Sequence, residues 1–187
     1  MGIPTLIKTL TASGSDYLDF VDGTSSVVLD STYDEYMFVF TDIGPATDNA
    51  NFLFQVNATD DAGGGYDTSL ITSTYFSSTH NEGGSDDPAL AYETGRDLAQ
   101  SASFQDIGMS IGNGSDESLA GIFHLFSPSS TTYVKHWYAT TTCYGHTNFV
   151  HTAHSAGYIN DTTAIDEIRF KMSSGAFDGV IQLFGIA

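Results

Sequence analysis

Positive charge is what this chain has least of: five Lys or Arg stand against 23 Asp or Glu, a formal net charge of −18 over 187 residues. Between Lys8 and Lys135 the only cation is Arg96. Phosphate recognition needs a basic face, so nucleic acid is not expected as a partner. An anionic membrane surface would repel the chain for the same reason. Cysteine is nearly absent too. Cys143 stands alone, which rules out an intrachain disulfide framework and fits synthesis in a reducing cytoplasm. No run approaches the ~20 apolar residues that span a bilayer. The start Met1-Gly2-Ile3-Pro4 lacks a charged n-region and an apolar h-region, so no signal peptide is expected. Without a secretory route, the sequons at Asn57, Asn113 and Asn160 read as chance.

What the chain does have is Ser and Thr, 43 together, and 19 Gly, with no long runs of Ala, Leu, Glu and Lys. That balance suits short strands joined by turns. Of the 23 acids 18 are Asp, which bonds nearby backbone amides and places most of the negative charge in loops. The clearest strand is Glu35–Ile43, which alternates Tyr36, Phe38 and Phe40 with Met37, Val39 and Thr41. Both of its faces are apolar, so something should cover each: a second sheet on one side, a loop or a neighbouring subunit on the other. By contrast Ile168, Phe170 and Met172 point one way and Arg169 and Lys171 the other, as in a strand with one wet face.

The same alternation and turn signals predict strands near residues 4–12, 17–21, 26–30, 35–43, 51–58, 69–76, 119–127, 131–143, 149–159, 165–173 and 178–186. Residues 77–118, rich in Gly, Ser, Asp and Asn, read as a long irregular excursion with one or two short strands and a helical turn around 94–100. The expected architecture over residues 1–187 is a single all-β domain. Its form is an antiparallel two-sheet sandwich, jelly-roll-like, with residues 1–10 as an N-terminal arm or edge strand. The last strand, Val180–Ile186, is apolar and carries no polar tail, which implies a protein partner or an oligomer as its tether.

Chemistry is harder to find. His136, His146, His151 and His154, with His124 nearby, invite a metal, but no HxH, HExxH or Cys/His spacing joins them. His151 and His154 are three apart, so a strand points them to opposite faces. The segments Asn57–Asp67 and His80–Asp87 gather oxygens that suit Ca²⁺ but lack the spaced ligands and closing Glu of a calcium loop. Solvated turns explain them as well. No G-x-S-x-G motif, Cys–His pattern or phosphate loop is present, and 23 acids single out no glycan-cleaving pair. Cys143, in an apolar strand, reads as a small core residue. Trp137 and Tyr138 are strand neighbours and face opposite ways, so they form no single sugar-stacking platform. No catalytic, cofactor-binding or metal-ligating residue is assigned.

The segments STYDEYMFVFTDIGPATDNANFLFQVN (31–57), AYETGRDLAQSASF (91–104), FHLFSPSSTTYVKHWYA (123–139) and AIDEIRFKMSSGAFDGVIQLFGI (164–186) resemble small all-β virion proteins of marine tailed bacteriophages. The combination of Tyr33-Asp34-Glu35-Tyr36, Ser127-Pro128-Ser129-Ser130-Thr131-Thr132 and Lys171-Met172-Ser173-Ser174-Gly175 carries that resemblance, which covers most of the chain. It implies a structural role on the particle exterior, as a capsid decoration or cement protein or as a fibre tip, and brings no functional residues with it. The sequence shows no shaft repeat, coiled coil or anchor segment, which favours decoration. A homotrimer on the major capsid protein is then expected, with Ile3, Leu6, Ile7 and Lys8 as the capsid or subunit contact. The alternatives are a short tail or head fibre that binds host glycans through residues 77–118 and, third, a glycan depolymerase.

Overall fold

The computed structural model describes residues 2–60, 66, 69–84 and 88–187. Among them the chain is all-β, with no helix, and its twelve strands pair antiparallel throughout in a nearly closed, barrel-like sheet. In chain order they are β1 (Thr5–Ser15), β2 (Tyr17–Val21), β3 (Glu35–Pro45), β4 (Ala50–Ala58), β5 (Ile71–Asn81), β6 (Ala89–Tyr92), β7 (Gln105–Ile111), β8 (Leu119–Phe126), β9 (Lys135–Gly145), β10 (Phe149–Ile159), β11 (Ile165–Met172) and β12 (Phe177–Ile186).

One run of paired neighbours reads β1-β12-β3-β8-β9-β10-β5-β6 and another β7-β4-β11-β2. A single bridge, Ile111 to Gly145, ties β7 to β9 and joins the two runs. At the other side β1 passes into β2 through Asp16 alone, which nearly closes the circuit.

The core fills the space between the runs with rings. Phe38 on β3 meets Phe170 on β11 at 5.3 Å between centroids, and Phe40 meets Phe52 on β4 at 5.1 Å. Phe54 on β4 lies 4.6 Å from Phe123 on β8 and 4.8 Å from Trp137 on β9. Most of these pairs are edge-to-face or tilted, the geometry that aromatic quadrupoles favour. Period-2 alternation puts every second residue of β3, β9, β11 and β12 into this core and its neighbours outward. Gly185 is required here: a Cβ on it would sit 2.3 Å from the ring of Tyr33.

Two expectations change. Residues 26–30 do not form a strand; Val27 and Leu29 are buried, but Ser25 and Ser26 adopt positive φ of 52° and 70°, and the Val27 amide donates back to Thr24 O. An irregular loop can bury two apolar side chains as well as a strand can. Residues 94–100 make turns and bends, not a helical turn. The excursion 77–118 holds the two short strands expected of it, β6 and β7, together with the end of β5.

Its loop 93–104 is strapped down by buried amides. Gln55 Nε2 donates to Ala102 O and Ser103 O at 2.9 and 3.2 Å, and Gln105 Nε2 donates to Arg96 O and Asp106 O at 2.9 and 2.8 Å. Ser73 Oγ donates to Gln105 Oε1 at 2.5 Å, and Arg96 pairs with Asp106 at 2.7 Å. Buried polar groups satisfied in this way fix one conformation of the loop.

Candidate interaction surface

The four N-terminal residues singled out from sequence separate in the fold. Ile3 and Leu6 are exposed, at 89% and 52%. Ile7 packs against the core, because the register shifts between Leu6 and Lys8 and the extra residue turns one side chain inward. Lys8 Nζ donates to Ser25 O at 3.1 Å. Ile3 and Leu6 are thus available for contact, while Ile7 and Lys8 hold the strand to the rest of the chain.

A larger surface lies on the outward side of the run from β1 to β6, away from the ring-filled core. Register sets the rows of side chains across it. Leu6 stands beside Phe184, Phe184 beside Met37, Met37 beside His124 and His124 beside Tyr138. The next row passes through Val39, Ile122, Thr140, His154, Phe76 and Tyr92. His124 stacks on the Tyr138 ring at 4.5 Å, and its Nδ1 contacts Glu35 Oε1. Phe76 and Tyr92 meet edge-to-face at 5.2 Å.

At one end of this surface His80, Asn81, Glu82, Ser118, Tyr144 and Phe149 help line a cavity of about 500 Å³, with Val150 and Ala120 among its walls. Tyr144 Oη donates to Glu82 Oε2 at 2.6 Å, a bond that raises the phenol pKa to about 12. Cys143 forms part of the cavity wall. Burial pushes its thiol up to about 12, and its S–H donates to Met109 O at 3.3 Å. A thiol held protonated in this way is a packing group and not a nucleophile.

The other sequence candidates disperse. His151 turns inward and His154 outward, and no group of three or more His, Cys, Asp or Glu is placed to hold a metal among the described residues. In the first oxygen-rich segment the described residues are 57–60 and Tyr66, and Asp60 accepts a hydrogen bond from Thr163 Oγ1 at 3.1 Å. Asp61, Gly63, Gly64, Gly65 and Asp67 lie outside the described residues, as do Ser85, Asp86 and Asp87 of the second segment. Trp137 is buried against Phe54 and Phe123, and Tyr138 faces out at 39% exposure.

Two of the five cations meet aromatic rings on the outward side of β11. Arg169 grips Asp19 with two bonds of 2.7 and 2.6 Å, its guanidinium 3.8 Å from the Tyr17 ring and 4.3 Å from the Tyr66 ring. Tyr66 Oη lies 3.0 Å from both Asp19 Oδ1 and Glu167 Oε1, and burial among these carboxylates pushes its pKa up. Lys171 Nζ lies 4.3 Å from the Phe104 ring.

Sequence reasoning saw the doubly apolar β3 but not the surface that it belongs to. One signal was present: between Glu117 and Asp161 the only Asp, Glu, Lys or Arg is Lys135, whose side chain is buried and donates to Asp161 O and Thr163 O. Compared with protein-family models, with curated proteins and with solved structures, the chain matches none.

Proposed function

We propose that this chain is a bacteriophage virion structural protein, a decoration or cement module that binds the outer capsid shell as an oligomer. The observation that carries the reading is nested strand pairing. β1 pairs with β12, β2 with β11, β3 with β8 and β4 with β7, so one long hairpin is rolled around a core. The orders β1-β12-β3-β8 and β2-β11-β4-β7 that result are those expected of a two-sheet jelly roll, an architecture frequent in capsid and lectin domains, and they support that reading of the barrel-like sheet. The hairpin β9–β10 and the pair β5–β6 are then insertions that widen the first sheet. Fold alone does not assign function; the resemblance to small phage virion proteins supplies the remainder. The partner in this reading is the major capsid protein or another virion protein, the place is the particle exterior, and no catalysis is assigned.

A second reading, a fibre protein that binds host glycans, is favoured by the cavity beside Tyr144 and Phe149. Its aromatic walls and its Asn81, Glu82 and Asn148 edge are the mixture of apolar surface and oriented polar groups that small ligands need. Copy number per particle separates the two: hundreds of copies mean decoration, a few tens at most mean a fibre. On the decoration reading, Ile3→Asp with Leu6→Asp abolishes attachment to otherwise complete particles and leaves the melting temperature of the free protein unchanged. Full occupancy by that variant removes the N-terminal contact from the proposal.

A further inference from the structure

The outward side of the β1-to-β6 run is unlike the rest of the molecule in charge. Among the described residues its centre carries none. Glu35, engaged by His124, marks one end, Asp42, Glu82 and Asp178 mark the other, and Asp97, which accepts from Tyr92 Oη at 2.6 Å, marks the β6 side, so among the described residues carboxylates bound the surface without crossing it. Exposed apolar side chains gather in the same place. Of the ten large hydrophobic residues exposed among the described ones, six stand here: Leu6, Phe76, Leu90, Tyr92, Tyr138 and Val150. Half-buried Met37, Val39, Ile122 and Phe184 fill the space between them. An apolar centre inside a polar rim is the anatomy of a protein interface.

We infer that this surface is where copies of the chain meet each other. Charge identifies the occupant. A basic partner would gain most on the acid-rich loops and nothing here. A second copy brings another net charge of −18 and is repelled at those loops, whereas this surface lets two copies touch with few carboxylates opposed. Size agrees. Eight strands about 4.8 Å apart, with four outward rows about 6.7 Å apart along them, make about 900 Å², against about 800 Å² per partner in a standard stable interface. Sheet faces pack on one another at about 10 Å with their outward side chains interdigitated, which a surface of alternating large and small residues such as Tyr138, Ala156, Phe76 and Thr74 can do. A two-fold pairing and a three-fold ring would both use these residues, and the mass of the assembly tells which closes.

The inference stands apart from the virion reading, because a stable oligomer that never occupies a capsid would sustain the one and sink the other. The test is sedimentation velocity of the full chain at about 100 µM protein in about 0.15 M salt, where self-repulsion is screened beyond about 8 Å. The expected species is two or three times the 20.0 kDa protomer. Phe76→Glu and Tyr138→Glu, each made singly, should weaken assembly at least about tenfold in Kd, whereas Tyr133→Glu, which adds the same single charge to an exposed loop position, should leave it intact. Hydroxyl-radical footprinting of the unaltered chain keeps the test free of folding artefacts: Phe76 and Tyr138 should be protected at high concentration relative to low, and Tyr133 should not. A monomer at about 100 µM, or an oligomer that protects none of these rings, overturns the inference.

Discussion

His151 shows what a single titratable side chain can cost when it is buried. Its ring packs over Gly145, where a Cβ would come within 2.4 Å of it, and neither ring nitrogen finds a hydrogen bond among the described residues. Burial first, then the neighbouring His146 and Arg96, holds its pKa below the ordinary 6.5. The unfolded chain therefore binds the proton more readily than the native one. Stability from this residue is complete above the unfolded value and is lost as pH falls below it toward the native value. Thermal melting followed from about pH 7.5 to about pH 5.5 should fall less steeply for His151→Asn than for the parent chain. Equal slopes would mean that the imidazole is solvated.

At the scale of elements, β2 depends on one charged lock. This strand is five residues long and pairs with β11 alone, a marginal length for an edge. Arg169, directly opposite Asp19 in the register, grips both carboxylate oxygens while Tyr17 and Tyr66 flank its plane. Lysine can replace neither the fork nor the stacking. Arg169→Lys should cost about 1–2 kcal/mol, given that the pair is partly exposed, and hydrogen exchange should quicken selectively at Tyr17–Val21. Uniform exchange across all strands would place the loss elsewhere.

The elements also show what the sequence could and could not disclose. β3, β11 and β12 were legible because their inward residues are large and apolar at period two. β7 was not, since its buried positions include Gln105 and Gly108, residues whose value lies in hydrogen bonds and close approach and not in hydrophobicity. The false strand at 26–30 is the converse, apolar burial by a loop. The interaction surface was legible only at β3 and in the charge-poor stretch between Glu117 and Asp161. Its other half depends on residues 71–81 lying beside 149–159, a pairing that no local pattern encodes.

For the whole molecule, −18 charges on 20.0 kDa oppose compaction. Five cations cannot offset 23 acids, and four of them are already engaged, Arg96 with Asp106, Arg169 with Asp19, and Lys8 and Lys135 with backbone carbonyls. Added NaCl should raise the melting temperature between about 0.02 and 0.5 M, as the Debye length shrinks from tens of ångströms to a few. Each kcal/mol of repulsion removed corresponds to about 2–4 °C for a chain of this size. A flat or falling curve would mean that the loops already hold their carboxylates far enough apart.

The nested pairing also has a temporal side. β12 lies between β1 and β3, so β1 waits for residues 177–186 to emerge before it gains its one ladder neighbour, and β3, paired with β8 on one side, keeps its other edge open until then. Until then their long edges are open to wrong partners, and contacts that span most of the chain are slow to form. Both edges border the uncharged surface, so carboxylate repulsion guards the nascent chain least at the strands that remain open longest.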